Sequence, residues 1–194
     1  MEIMKRFLGI VVLGLFLSLN VKAENISDFQ IEGMSIGDSL LKFYSEKEIK
    51  RFIAKKQGYK DKSFVRGHIK KNLKIYDEIN FHIKKKDSNY IIENIGGSLD
   101  FNNKIDECNL QKDKTVNELK ELFPNSKYNS ATNPHPHDKT NKSIVYTSFF
   151  YFKDGSQSRV QCYDWSKKMK FRDYLKISLG SAEYRDWLTN KAWK

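Results

Sequence analysis

Gly37-Asp38-Ser39-Leu40 places a serine between a carboxylate and an apolar run. A serine hydroxyl attacks a carbonyl carbon only when a neighbouring base takes its proton. Four histidines are on offer, His68, His82, His135 and His137. The residues three before them are Val65, Ile79, Thr132 and Pro134, so none has an acid at that spacing. Asp38 and Ser35, by contrast, are good N-cap residues ahead of Leu40 and Leu41. The stretch therefore reads as the start of a helix.

His135-Pro136-His137-Asp138 is the next cluster with chemistry in it. Two imidazoles make His135 and His137 weak metal candidates, but a metal site takes three or four ligands and partners that fix the rings. The segment reads as a solvated loop. Residues 100–107, DFNNKIDE, open like a calcium loop, yet Lys104 stands where a ligand is needed and Ile105 where glycine is needed. The glycine pair in IGGS lacks the GK[ST] of a phosphate loop. No catalytic residue, metal or cofactor is assigned. What remains is aromatic: Tyr163, Asp164, Trp165 and Arg172 form a candidate ligand face, the kind that lines a sugar- or peptide-binding groove. Rings of this type also finish a core with the polar tip outward.

The letters Gly-Asp-Ser-Leu also name the GDSL esterases and lipases. Membership there implies a flavodoxin-like sandwich whose nucleophile follows a continuously apolar strand. Here DFQIEGMSI precedes Ser39, with Asp28, Gln30 and Glu32 in it. The Gly-x-Asn-Asp segment of such enzymes is missing as well, so the motif is a coincidence.

The elements that must hold any site follow from periodicity. Residues 7–19 are an uncharged apolar run behind Lys5 and Arg6, and Val21 and Ala23 sit at signal-peptidase positions. Thirteen helical residues reach about 20 Å, short of the about 30 Å of a bilayer core. Residues 1–23 therefore read as a signal peptide cut between Ala23 and Glu24, and 24–194 as a single domain. The expected location is periplasmic or secreted, with no membrane span after cleavage. In that setting Cys108 and Cys162, the only cysteines, read as one disulfide. Cys108 falls on the apolar stripe of a helix with Ile105, Val116, Leu119 and Leu122; Cys162 alternates with Val160 on a strand.

Two short helices are expected within 34–57, the second opened by the Ser45–Glu48 capping box. Ile79, Phe81 and Ile83 then alternate with polar residues, a half-buried strand. A second strand returns through YIIENI, with Gly96-Gly97 breaking or bulging it before SLDF. Residues 103–123 form the longest helix, and the Pro-containing 127–142 reads as a loop. Two strands flank Lys153-Asp154-Gly155 as a hairpin; DYLKISL is one more, and Ser181 caps a last helix carrying Trp187. The order α-α-β-β-α-β-β-β-α predicts an α+β domain, an antiparallel sheet of about five strands with helices packed on one face.

The net charge of +11 and pI near 9.4 raise the question of nucleic acid. The surplus is 29 Lys against 6 Arg, and the lysines are scattered. Readers of nucleic acid lean on Arg for bidentate and stacking contacts, so no specific nucleic-acid partner is expected.

GMSIGDSLL at 33–41 and CYDW at 162–165, behind a signal peptide, resemble small uncharacterised secreted (periplasmic) proteins of bacteria. The Gly-Met-Ser-x-x-x-Ser-Leu entry, followed by helix and hairpin strands, is similar to the β-lactamase-inhibitor-like fold of small envelope-assembly proteins. The implied function is that of an exported non-catalytic protein binding an envelope component, macromolecule or small ligand; a protein, envelope or glycan partner fits. A secreted hydrolase with an unrecognised active site is the alternative. Intact mass of the exported protein is expected to show loss of residues 1–23, with thiols blocked only after reduction.

Overall fold

The computed structural model describes residues 25–194; the apolar run and the Ala23–Glu24 cleavage position lie outside the described residues. Among the described residues, no helix is long and apolar enough to cross a membrane.

The fold is α+β, built on one seven-stranded antiparallel sheet. Its strands are β1 (Phe64–Ile69), β2 (Glu78–Lys84), β3 (Asn94–Asp100), β4 (Lys127–Pro134), β5 (Ile144–Tyr151), β6 (Gln157–Asp164) and β7 (Tyr174–Gly180). Across the sheet they run β1-β2-β3-β7-β6-β5-β4. Among the described residues three α-helices accompany it: α1 (Glu46–Phe52), α2 (Ile105–Leu122) and α3 (Ala182–Asn190).

One face of the sheet is apolar. Ile79, Phe81, Ile95, Val160, Cys162, Leu175 and Ile177 all point to it, and α2 lays Cys108, Val116 and Leu119 against them. Cys108 and Cys162 are joined there by a disulfide, with Cα atoms 6.0 Å apart. The helix and the strand that carry them were each legible from periodicity; their meeting is what the packing adds. Two glycines let this face close. A Cβ at Gly67 would collide with the Phe81 ring, and one at Gly97 with the Tyr76 ring.

The expected five-stranded sheet is corrected to seven strands, and the expected order to α-β-β-β-α-β-β-β-β-α. β1 is not among the expected strands: Gly67 interrupts its apolar phase of Val65 and Ile69, so its residues show no clear alternation. β4 lies in the expected loop: an edge strand exposed along nearly all its length shows no alternation. Gly96 and Gly97 do not break β3 but lie inside it. The first expected helix is only a 3-10 turn, Leu40–Lys42, capped by Ser39, whose hydroxyl accepts from the Leu41 N–H at 3.2 Å. The helices are not confined to one face either. While α2 covers the apolar side, α3 packs Tyr184 and Trp187 against Tyr59 and Phe64, at one end of the opposite side.

The outer edge of β1 is covered by the chain that follows α1. Ile53 bridges to Gly67, and the Gln57 side chain accepts from the Arg66 N–H at 2.6 Å while donating to its carbonyl at 3.1 Å. Such cover removes an open template for strand pairing.

The disulfide closes a loop with a sequence separation of 54, a cross-link worth about 4 kcal/mol by the loop-entropy relation. The double variant Cys108→Ala, Cys162→Ala is expected to lose about that much stability in a urea titration. An unchanged midpoint would show that α2 needs no tether.

Candidate functional site

The residues that alternate with the apolar set all point to the other side of the sheet. β1 supplies Arg66 and His68; β2 supplies Glu78, Asn80 and His82; β3 supplies Asn94, Gly96 and Ser98. From β7 come Tyr174, Lys176 and Ser178, and from β6 Gln157, Arg159, Gln161 and Tyr163. Together they line a cleft of about 1090 Å³. Its centre is low because the side chains there are small. A Cβ added to Gly96 would come within 3.1 Å of the Ser178 Cβ and 3.0 Å of the Lys176 Cε, so the glycine leaves room for the lysine chain to fold across the floor.

Three cations converge on that floor. Arg66, Arg159 and Lys176 are half-buried, and among the described residues no ion pair reaches any of them. The Arg159 Nε donates to the Gln157 side chain at 2.5 Å, a neutral partner. Burial, together with the charges of Arg159 and Arg66, brings the Lys176 ammonium down to about 8; Glu78 pulls weakly the other way. Burial also lowers Arg159.

Glu78 is already engaged. Its carboxylate is paired with His68 Nδ1 and lies 3.0 Å from Lys70 Nζ. The His68 hydrogen bond, followed by Lys70, holds it down to about 2 against the effect of burial. Asp100, at the rim, pairs with Arg172 at 2.9 Å. Glu78 and Asp100 are thus paired with other groups and form no ion pair with the three central cations.

Aromatic rings wall both ends. At one end Tyr59 packs on Trp187 and Trp193, each at 4.9 Å between centroids. Tyr59 also reaches the floor: its hydroxyl lies 2.9 Å from His82 Nε2. His82 Nδ1 is 3.1 Å from Asn94 Oδ1, and the Asn94 amide donates to the Leu179 carbonyl at 2.5 Å. That last bond fixes Oδ1 as the acceptor, so Nδ1 carries a proton, and burial keeps the ring neutral. At the other end Tyr163 stacks on Tyr174 at 4.4 Å and lies parallel to Trp165 at 6.1 Å. His135 packs on Trp165 at 4.3 Å, and Phe171 meets it edge-on at 4.9 Å. Phe171 and Trp193, on opposite lips, are 56% and 53% exposed.

The Trp165 end is held by Asp138. Its carboxylate accepts from the Thr140 N–H and hydroxyl, the Ser143 N–H and hydroxyl, and the Ser166 hydroxyl, at 2.6–3.0 Å. Those bonds, Thr140 first, hold it far below the ordinary carboxylate range.

Of the face expected from sequence, Tyr163, Trp165 and Arg172 line the cleft. Asp164 lies one residue out of phase, on the other side of the sheet, where burial and then the charges of Asp173 and Asp106 raise its carboxyl. His135 and His137 are at the rim with rings 5.4 Å apart; among the described residues no three His, Cys, Asp or Glu gather as metal ligands. Ser39 sits away from the cleft, donating to the Asn89 carbonyl at 2.5 Å. Arg66, Asn80, Arg159 and Lys176 were not singled out in the sequence. The available signal was the polar phase of β2, β3 and β6, which carries Asn80, Asn94, Ser98, Gln157, Arg159 and Gln161.

Compared with protein-family models, curated proteins and solved structures, the chain matches none.

His82 is 4% exposed, and burial lowers its pKa to about 3. The unfolded chain takes up this proton near pH 6.5 while the folded chain does not. The stabilisation is thus present above pH 6.5 and lost as pH falls toward 3, by at most about 1.4 kcal/mol per pH unit. Urea titrations between pH 6.5 and 4.5 are expected to show this slope, and His82→Gln to flatten it.

Proposed function

We propose that this chain is an exported, non-catalytic protein that binds a small anion, or the anionic group of an envelope component, in the cleft. One observation carries the reading: Arg66, Arg159 and Lys176 share a half-buried floor and, among the described residues, no counter-charge is paired to them. Like charges brought together out of water are costly unless something opposes them. A bound carboxylate or phosphate supplies what the fold leaves out, through charge-assisted hydrogen bonds. The concave shape, the polar floor and the aromatic walls are those of a small-molecule site. Export is supported by the Cys108–Cys162 disulfide, a bond of oxidising compartments.

The His68–Glu78 pair is what a hydrolase would draw on. Among the described residues, however, no hydroxyl or thiol is hydrogen-bonded to His68 that it could activate. The binding reading uses the pair differently: it keeps Glu78 from answering Lys176.

Pyrophosphate, titrated against intrinsic tryptophan fluorescence at fixed ionic strength, is the probe. Lys176→Met and Arg159→Gln are each expected to weaken it about tenfold or more, while Lys85→Met, an exposed cation outside the cleft, has no effect. Because Lys176 titrates near 8, binding weakens as pH rises through that value. Equal losses from Lys85→Met would mean attraction to net charge alone and would overturn the reading.

A further inference from the structure

We infer that the anion is carried on a sugar: the cleft is built for a carboxylated or phosphorylated saccharide and not for a bare anion. The inference rests on the anion reading above and adds a second requirement of the floor. Asn80 is 6% exposed and points into the cleft. Its amide nitrogen donates to the Gly96 carbonyl at 3.2 Å, which fixes the orientation of the group. Its Oδ1 is then buried with no partner among the described residues. A carbonyl oxygen only accepts, so this atom calls for a donor on the ligand.

A carboxylate or a fully ionised phosphate cannot serve it, because all their oxygens are acceptors and two acceptors face to face repel. The Arg66 Nε is also buried without a partner, and it only donates. Arg66 is opposite His82 and His68 is opposite Asn80, so Arg66 and Asn80 are diagonal neighbours on adjacent strands, at about 7 Å. One small ligand that presents an acceptor and a donor a short distance apart satisfies both atoms. A sugar with an acidic substituent does so: the acid meets Arg66, Lys176 and Arg159, and a ring hydroxyl meets Asn80.

The walls agree with this. The electron-rich faces of aromatic rings attract weakly positive edges, which a sugar presents as its C–H groups. Tyr163 and Tyr174 flank the floor on one side, and Tyr59 and the exposed Trp193 on the other. The cleft crosses β1, β2, β3, β7 and β6, and four strand spacings amount to about 19 Å, room for more than one ring.

The test compares ligands that differ by one requirement at a time, using calorimetry on the mature protein at constant ionic strength. Glucuronate and glucose 6-phosphate carry both the acid and the hydroxyls, cyclohexanecarboxylate only the acid, and glucose only the hydroxyls. At least one of the two acidic sugars is expected to bind about tenfold or more tighter than cyclohexanecarboxylate and than glucose; whichever is tighter identifies the acid. Asn80→Leu is expected to collapse the ratio between acidic sugar and cyclohexanecarboxylate. Should cyclohexanecarboxylate match the acidic sugars, water serves Asn80 and the sugar inference fails while the anion reading stands. Should glucose match them, or pyrophosphate and all four ligands fail to bind, the anion reading falls as well.

Discussion

Side chains on a strand point alternately to the two faces of a sheet, and here that step of two is kept in register across all seven strands. The same residue step that aims Val160, Cys162, Leu175 and Ile177 at α2 aims Arg159, Gln161, Lys176 and Ser178 into the cleft. A slip of one residue would turn Lys176 of β7 or Arg159 of β6 under the helix and put Ile177 or Val160 in the site. Register is pinned from the apolar side, where the Phe81 ring lies on Gly67 and the Tyr76 ring on Gly97. The disulfide adds a covalent tie between α2 and β6.

That division of labour explains how the polar face tolerates its own charges. Arg66, Arg159 and Lys176 repel one another in a partly dry setting, a local arrangement that opposes folding. The main core that offsets it lies on the opposite face, under α2, so Arg66, Arg159 and Lys176 take no part in it. Local rules broken without a local compensation are what functional sites look like. Glu78 illustrates the same economy: its carboxylate is spent on His68 and Lys70 at the β1–β2 side, leaving the centre of the floor positive.

A site needs walls that stay in place as well as charge. Two hydrogen-bonded nodes provide them at opposite ends. Tyr59, His82 and Asn94 form a buried chain that ends on the β7 backbone and locks the α3 end. Asp138 gathers the turn after β4 and the start of the segment after β6, and so positions His135 and Trp165. Side chains locked by such supporting bonds are what preorganised recognition requires.

The sequence by itself determined the elements whose signal is local. Ile79-Phe81-Ile83, the Lys153–Gly155 turn, the Ser45 and Ser181 caps and the long amphipathic helix were readable because alternation, turn chemistry and capping act over a few residues. The pairing of Cys108 with Cys162 was readable too, since two inward-facing cysteines have only each other. Tertiary structure alone decided the rest. β4 is an edge strand with neither face buried, so nothing in its own residues marks it. β1 hides behind Gly67, whose lack of a side chain makes sense only beneath Phe81. The cleft is assembled from strands up to 110 positions apart in sequence, Arg66 to Lys176. Three basic residues scattered through a Lys-rich chain become a site only when the sheet order places β7 between β3 and β6.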